Sequence, residues 1–292
     1  MELTLALEWV KYSLLSLNCG LFLVLIVSLL LSNNSPTSPT PKNAAKTSPR
    51  ALIVIAHPDD ESMFFAPLLR FLLYCDTQWT WNLPTILHTR WNVILLCLSN
   101  GNGDGIGRIR EKELEKVGQF LGIPRENLII INDPQLEDGM HTKWSPQHIA
   151  NIIERQFEGE NTLQAIFTFD KVGVSSHPNH IAVYCGVKLF LEKFDREKIF
   201  GFALKSTNLA RKYIGVLDVA ISQFGRNFLT RKADLSGEMG IFMWKPWWNY
   251  RLMAIHASQF VWYRRLFVIF SRYTFLNTFR EISCRSKYQK IE

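Results

Sequence analysis

The chain has 292 residues, of which 47% are hydrophobic and 20% are charged, and its formal net charge at pH 7 is +7. This composition is typical of a folded domain with a substantial core and excludes an intrinsically disordered chain. The basic charge comes without a long Lys/Arg run, zinc-finger spacing or RNA-binding signature, so the sequence does not support nucleic-acid binding.

The first element predicted along the chain is a membrane anchor over residues 13–32. This stretch, SLLSLNCGLFLVLIVSLLLS, carries no charge, and a helix of that length spans about 30 Å, the thickness of the hydrocarbon core of a bilayer. A cleaved signal peptide is the alternative, but its apolar region is usually shorter and no A-x-A-like site follows closely. We therefore expect a short segment over residues 1–12 and then one retained transmembrane helix.

Residues 33–50, NNSPTSPTPKNAAKTSPR, are predicted to form a disordered tether between the anchor and the globular domain, because they are rich in Ser, Thr, Pro and Asn. They contain Lys42, Lys46 and Arg50 and no acidic residue, so the positive-inside rule places the downstream domain in the cytoplasm. Five scattered cysteines without a CxxC pair fit reduced thiols on that side of the membrane.

The remaining residues, 51–292, are predicted to form one domain in which buried strands alternate with helices. Strand signals cover residues 51–56, 92–98, 127–131, 165–169 and 199–204, and helical patterns cover 62–74, 109–121, 146–157 and 179–193. This alternation predicts an α/β fold, a Rossmann-like mostly parallel sheet with helices on both faces.

Polar clusters directly follow four of these strands. They are AHPDDE at residues 56–61, SNGNGDG at 99–105, Asn132 with Asp133, and Asp170. Ligands of such sheets bind outside the carboxyl ends of the strands, so the sequence predicts a functional site on that rim.

Histidine and aspartate residues of two rim loops are candidate metal ligands. His57 and Asp60 have the spacing H-x-x-D, and a third ligand is expected from SHPNH, residues 176–180, after the fourth predicted strand. Two imidazoles and one carboxylate suit zinc and leave one coordination position open, which is the catalytic pattern. The alternative is that Asp59 or Asp60 only caps the following helix, but two such clusters on one rim favour a metal site.

The motifs AHPDDE and GVSSHPNH together resemble those of the PIG-L-type, or LmbE-like, deacetylase family. The resemblance extends from about residue 50 to about residue 278 and includes LSNGNGDGIGRIREKEL, LARKYIGVLD and HASQFVWYRRLFVIFSRY. The last of these, a basic-aromatic segment, points to the membrane-bound eukaryotic branch of the family.

This resemblance implies a role for each residue of the two clusters. His57, Asp60 and His180 would bind Zn²⁺ or another divalent metal. Asp59 would be the general base for the attacking water, and His177 would stabilise the oxyanion or protonate the leaving amine. Motif position assigns Asp59 and Asp60, and the sequence alone leaves their exchange open.

The activity that the resemblance implies is hydrolysis of the N-acetyl group of glucosamine linked to phosphatidylinositol, in glycosylphosphatidylinositol (GPI) anchor synthesis. The enzyme would then be a single-pass protein of the endoplasmic reticulum membrane with a membrane glycolipid as its substrate. The alternatives are a deacetylase of a soluble N-acetylglucosaminide and a non-catalytic membrane scaffold.

Five further residues are weaker candidates for substrate binding: Arg110, Glu113, Asp133, Asp170 and His256. Arg110 could hold a sugar hydroxyl or the inositol phosphate, but Arg110 and Glu113 also have the spacing of a surface ion pair. Asp133 could contact the sugar and Asp170 could orient His177 or a ligand, although each could equally cap a loop. His256 would belong to the site only if the last helix folds over the rim.

The segment FVWYRRLFVIFSRYTFLNTF, residues 260–279, is predicted to form a basic-aromatic C-terminal helix. Its arginines argue against a second transmembrane span. An amphipathic helix in the plane of the membrane interface and a helix packed in the core are both compatible with the pattern.

Overall fold

The computed structural model describes residues 49–77, 79–88, 91–158, 162–193, 199–222 and 237–283. The predicted anchor, residues 13–32, and nearly all of the predicted tether lie outside these ranges. Within the described ranges, no helix combines the length and the hydropathy that crossing a bilayer requires.

Eight strands and nine helices are named here in chain order. The strands are β1 (Arg50–Ile55), β2 (Trp79–Trp81), β3 (Asn92–Cys97), β4 (Leu128–Ile130), β5 (Leu163–Phe169), β6 (Phe200–Leu204), β7 (Glu238–Phe242) and β8 (Leu276–Glu281). The helices are α1 (Asp60–Phe64), α2 (Ala66–Tyr74), α3 (Gly107–Leu121), α4 (Pro146–Phe157), α5 (Gly173–Ser176), α6 (Pro178–Lys193), α7 (Leu209–Tyr213), α8 (Pro246–Ile255) and α9 (Trp262–Phe270).

The strands form one sheet in the order β2-β7-β8-β6-β5-β1-β3-β4. The five predicted strands are all present and pair in parallel, as β4-β3-β1-β5-β6. Beyond β6, the strands β8, β7 and β2 add three antiparallel pairings. The α/β architecture is therefore as predicted, but the sheet as a whole is mixed, and its antiparallel extension was not predicted.

The order of the parallel strands creates a crevice beside β1. The chain runs outward from β1 to β3 and β4, then returns to β5 on the other side of β1 and continues to β6. Right-handed crossovers then place α2 and α3 on one face and α4 and α6 on the other. Loops from β1 and β5 leave in opposite directions, and the gap between them is where ligands bind in sheets of this kind.

The helix predicted over residues 62–74 is divided into α1 and α2 at Phe65. Pro67 lies in the first turn of α2 and has no backbone N–H to continue the helix from α1. Asn277 of β8 bridges the break, because its side chain accepts a hydrogen bond from the Leu68 N–H at 3.1 Å and donates one to the Phe64 carbonyl at 2.8 Å.

The prediction of one helix over residues 260–279 is wrong in its second half. The helix α9 ends at Phe270, and residues 276–281 form β8, which lies between β6 and β7. Arg272 separates the two elements, and its Nε donates to Asp218 Oδ2 at 2.6 Å with both residues buried. Arg272 is therefore a core residue and does not face a membrane.

Candidate metal centre and active site

The loop after β1 folds the Asp60 carboxylate back onto its own backbone. Asp60 Oδ2 accepts hydrogen bonds from the N–H groups of His57 at 2.8 Å and Ala56 at 3.1 Å. Asp59 has a φ of 116° and makes no side-chain hydrogen bond that caps α1. The carboxylates of the two aspartates consequently point in different directions. Neither is shown capping α1, so both are available for other contacts.

Asp60, His57 and His180 converge on one point. His180, in the first turn of α6, places its Nε2 at 3.2 Å from Asp60 Oδ1, and His57 Nδ1 lies 3.8 Å from Asp60 Oδ2. One ligand atom from each of the three residues lies within 4.8 Å of the others, and all three residues are buried. The structure thus brings together the three residues that the sequence analysis named as metal ligands.

The His180 ring is held in place by the loop that follows β5. Its Nδ1 lies 3.2 Å from the carbonyl oxygen of Gly173, and the ring stacks on Phe169 with 4.0 Å between centroids. A proton on Nδ1 leaves the Nε2 lone pair directed at Asp60, and such a backbone partner is typical of histidines that bind metals.

Asp170 fixes that loop. Its carboxylate accepts hydrogen bonds from the N–H groups of Val172 and Gly173, each at 3.0 Å, and from the Ser206 N–H at 2.7 Å. Asp170 therefore acts on His180 through Gly173, and it ties the loop after β5 to the segment after β6.

The donor set fits a divalent cation. Burial alone would raise the pKa of the Asp60 carboxyl, but the charge and hydrogen bond of His180, together with His57, hold that pKa well below its usual value. A buried carboxylate that stays ionised between two imidazoles is the arrangement that a bound cation requires.

A second group of potential ligands, which the sequence analysis missed, shares His57. It consists of His57, Asp138 and His177. Asp138 Oδ1 lies 3.0 Å from His57 Nε2, and Asp138 Oδ2 accepts from Arg110 Nη1 at 3.0 Å. Burial would raise the pKa of Asp138, but His57 and Arg110 lower it to about 2.

Asp138 belongs to the loop between β4 and α4, which α6 holds against the site. The side-chain amide of the buried Asn179, oriented to satisfy both of its ends, donates to the Gly139 carbonyl at 3.0 Å and accepts from Trp144 Nε1 at 3.1 Å. The position of this loop after a parallel strand was the only signal in the sequence, and it does not distinguish Asp138 from Asp133.

Asp59 is buried beside the metal cluster and contacts two arginines. Its Oδ2 forms ion pairs with Arg264 of α9 and, at 3.4 Å, with Arg110 Nη2 of α3. Arg110 also donates to the carbonyl oxygens of Gly101 at 3.0 Å and Pro58 at 2.8 Å. Arg110 thus joins three loops of the rim, and the participation of Arg264 was not predicted.

Glu113 does not pair with Arg110. Its carboxylate accepts hydrogen bonds from the Ser258 N–H at 2.8 Å and the Ser258 hydroxyl at 2.7 Å, and so it holds the loop before α9. Arg110 and Glu113 are both buried, which argues against the surface ion pair that the sequence analysis kept as an alternative.

The His177 ring lies close to the rings of both histidines in the candidate metal cluster, His57 and His180. The centroid of its ring is 5.0 Å from that of His57 and 4.9 Å from that of His180. Burial, followed by the charges of His180 and His57, lowers the pKa of His177 to about 4. Its Nδ1 accepts the Asn179 N–H at 3.3 Å, so a neutral His177 carries its proton on Nε2.

The two remaining candidates have different surroundings. Asp133 accepts from the Gln135 N–H at 2.9 Å and pairs with His148 at 2.7 Å, and it lines a cleft of about 190 Å³ at the ends of β3 and β4. His256 is 0% exposed and its Nε2 lies 2.6 Å from Glu61 Oε1. His256 thus contacts the loop after β1 through Glu61, and its contact with the substrate stays a prediction.

The fold and this site define the class of protein. A mixed α/β sheet carries a buried His/Asp/His cluster at its central crevice, with a further carboxylate and a neutral imidazole beside it. This is the arrangement of a metal-binding α/β enzyme.

Comparisons with known proteins identify the family. The family model described as PIG-L, GlcNAc-PI de-N-acetylase, matches residues 52–190. The chain is 37% identical over 260 residues to the probable N-acetylglucosaminyl-phosphatidylinositol de-N-acetylase of Schizosaccharomyces pombe, covering 86% of this chain and 93% of the relative. It is 34% identical over 234 residues to the N-acetylglucosaminyl-phosphatidylinositol de-N-acetylase of Bos taurus, covering 78% and 82%. The chain belongs to the PIG-L family, as its motifs predict.

A search of solved structures gives a more distant likeness. The N,N'-diacetylchitobiose deacetylase from Pyrococcus horikoshii aligns with a TM-score of 0.44 and 16% sequence identity, covering 82% of this chain and 86% of that one.

Proposed function

We propose that the protein is a metal-dependent deacetylase that hydrolyses the N-acetyl group of N-acetylglucosaminyl-phosphatidylinositol, releasing acetate and a free amine, in GPI-anchor biosynthesis. This substrate is supported by the names of the relatives and by the large share of the chain over which they match it. The observation that carries the proposal is the convergence of His57, Asp60 and His180 beside Asp59 and His177.

We assign Zn²⁺ to the cluster of His57, Asp60 and His180. All three are buried, and backbone groups orient Asp60 and His180, whereas Asp138 of the alternative cluster is partly exposed and already paired with Arg110. When bound, the ion would supply Lewis-acid activation of the water and of the amide carbonyl.

Asp59 is the residue we assign as general base. It is buried next to the cluster but is not needed as a ligand, so its carboxylate is available to accept a proton from the attacking water. Arg110 and Arg264 both contact Oδ2 and hold the carboxylate in place, and we assign the proton to the other oxygen, Oδ1.

His177 is the residue we assign to the carbonyl oxygen. Its neutral ring carries the proton on Nε2, and a hydrogen bond from this atom to the carbonyl oxygen would strengthen as negative charge develops there. The same atom could then pass its proton to the leaving amine, while Asn179 keeps the ring oriented.

The location we propose is the endoplasmic reticulum membrane. Residues 13–32 would cross it once, residues 33–50 would be the tether, and residues 51–292 would face the cytosol. Two observations support this, the charge-free run of residues 13–32 and the basic residues that follow it.

The test is an assay of the purified full chain on N-acetylglucosaminyl-phosphatidylinositol, measuring the free amine produced. The variant Asp59→Asn should lose activity by roughly 10²- to 10⁴-fold, the usual contribution of a general base, while it keeps its metal. The control is Asp104→Asn, the same change at an exposed position on the rim, which should leave the rate unchanged.

Full turnover by Asp59→Asn would refute the assignment of the base. Absence of turnover by the unaltered chain would refute the proposed function. Equal turnover of a soluble N-acetylglucosaminide would instead favour the lipid-independent deacetylase.

A further inference from the structure

The helix α9 has large apolar side chains on its solvent side. Trp262 is 72% exposed, Leu266 is 45% exposed and Phe270 is 40% exposed, and Tyr263 lies beside them with more than half of its surface in solvent. The sequence of the helix, WYRRLFVIF, contains no acidic residue. A helix on an ordinary protein surface shows the opposite pattern, with polar residues outside.

Helix geometry shows that this exposure is organised. Successive residues turn by about 100°, so Trp262, Leu266 and Phe270 form one stripe along the helix. On the other side, Phe267 and Val268 are buried, and Arg264 reaches the Asp59 carboxylate. One face of α9 therefore contributes to the active site while the opposite face presents an apolar surface to the outside.

The helix α7, which contacts α9, exposes further apolar side chains. Leu209 and Tyr213 of α7 are exposed, and the Tyr213 ring lies 6.1 Å from that of Phe267 in α9. Lys212 Nζ donates to the Ser175 hydroxyl at 2.6 Å, which connects α7 to the loop that carries His177. We call the exposed residues the α9 face: Leu209, Tyr213, Trp262, Tyr263, Leu266 and Phe270.

We propose that the α9 face docks onto a lipid bilayer and so brings the active site to the headgroup of its substrate. This proposal rests on the proposed function and adds the surface by which the domain reaches the glycolipid. With the α9 face on the bilayer, Arg264 and Asp59 would lie on the opposite side of α9, about one helix diameter from the membrane surface.

A bilayer fits this surface better than a protein partner does. Trp and Tyr side chains prefer the interface between water and hydrocarbon, and the exposed Arg265 flanks the stripe, which suits anionic headgroups. Neither α9 nor α7 has an acidic residue that such headgroups would repel. The charge-free run of residues 13–32 would already hold the chain at a membrane.

The experiment compares two substrates with the full chain. One is N-acetylglucosaminyl-phosphatidylinositol in phosphatidylcholine vesicles that contain phosphatidylinositol, and the other is a short-chain analogue dissolved as monomers. For Trp262→Ser with Leu266→Ser, the KM on vesicles should rise about tenfold or more, because two apolar side chains leave the interface. The kcat/KM on the dissolved analogue should stay unchanged.

The matched control is Trp79→Ser, which removes an exposed tryptophan from β2 at the far edge of the sheet. This variant should behave as the unaltered chain on both substrates. A second measurement uses fluorescence quenching by lipids with brominated acyl chains. Trp262→Phe should lower the quenched fraction of the fluorescence, and Trp79→Phe should not.

Equal KM values on vesicles for the double variant and the unaltered chain, with Trp262 not quenched, would overturn the proposal and leave a protein as the occupant of the α9 face. If the unaltered chain turns over neither substrate, the proposed function fails. The quenching measurement still decides in that case whether the α9 face meets lipid.

Discussion

The Arg264 guanidinium contacts the Asp59 carboxylate across 205 residues of sequence. Its neighbour Arg265 is exposed to solvent, and the Arg265 Nε donates to the Phe260 carbonyl at 3.3 Å. The two adjacent arginines therefore have different surroundings, and only one of them is next to the proposed base.

This difference predicts that Arg264 positions Asp59 for catalysis. Arg264→Met should lower kcat roughly 10- to 100-fold, the value of a hydrogen bond to a charged group, and Arg264→Lys should restore part of it. Arg265→Met should leave kcat on the dissolved analogue unaltered. The measurement is steady-state kinetics of the variants, and equal kcat values for Arg264→Met and Arg265→Met would contradict the prediction.

The two groups of potential metal ligands can be separated by metal analysis. His180→Ala should lose both activity and stoichiometric metal, because it removes one ligand from the group with Asp60. Asp138→Asn should keep its metal, since Asp138 belongs only to the alternative group. Elemental analysis of both purified proteins distinguishes the groups. The reverse result, with metal lost only from Asp138→Asn, would move the site to His57, Asp138 and His177.

A weaker effect on metal affinity is expected at Asp170. Asp170→Asn keeps the size of the side chain but removes an acceptor from the loop whose Gly173 carbonyl orients His180. Metal affinity should fall about 10- to 100-fold, the usual consequence of losing such an indirect support. Competition with a chelator measures this, with Asp133→Asn as the control. Unchanged affinity would show that the loop keeps its position without the carboxylate.

Stability should depend on the buried pair of Asp218 and Arg272. Asp218 is 0% exposed and also accepts from Arg211 Nε at 2.6 Å, so Asp218→Asn would leave buried guanidinium charge without its partner. We expect the free energy of unfolding to fall by about 3–5 kcal/mol. Glu154→Gln, in an exposed pair with Lys193, should cost about 0–1 kcal/mol.

Urea unfolding of both variants in the same detergent measures the two values. A similar small change in both would show that water or neighbouring groups compensate for the charge within the core.

The parallel half of the sheet was predictable because each of its strands is a short run of buried apolar residues. All residues from Ala51 to Ala56 are fully buried, which is typical of a parallel strand covered on both faces. The same reasoning could not find β8. Its sequence, LNTFRE, has polar residues whose partners, such as Leu68 and Phe64 for Asn277, lie about two hundred residues earlier.

The residues of the site divide in the same way: those in short sequence motifs could be predicted, and those that depend on contacts distant in sequence could not. His57, Asp60 and the SHPNH cluster could be named because they follow strands and have ligand chemistry at short spacing, and the family resemblance selected His180 within that cluster. Asp138 and Arg264 could not, because their significance arises from contacts with His57 and Asp59 that only the folded chain creates. The burial of Arg272 could not be predicted for the same reason, since its partner Asp218 lies 54 residues earlier in the chain.

The direction of β1 has a consequence for the way the domain could approach a membrane. The strand starts at Arg50, at the ends of the strands opposite to the catalytic rim, about 20 Å away at the rise of a six-residue strand. A chain fastened through residues 13–32 would have to reach around the body of the domain for the rim to face the same bilayer. Fully extended, the seventeen residues from 33 to 49 would reach at most about 60 Å, so under the proposed topology shortening them by half would halve the distance over which the rim can approach the bilayer.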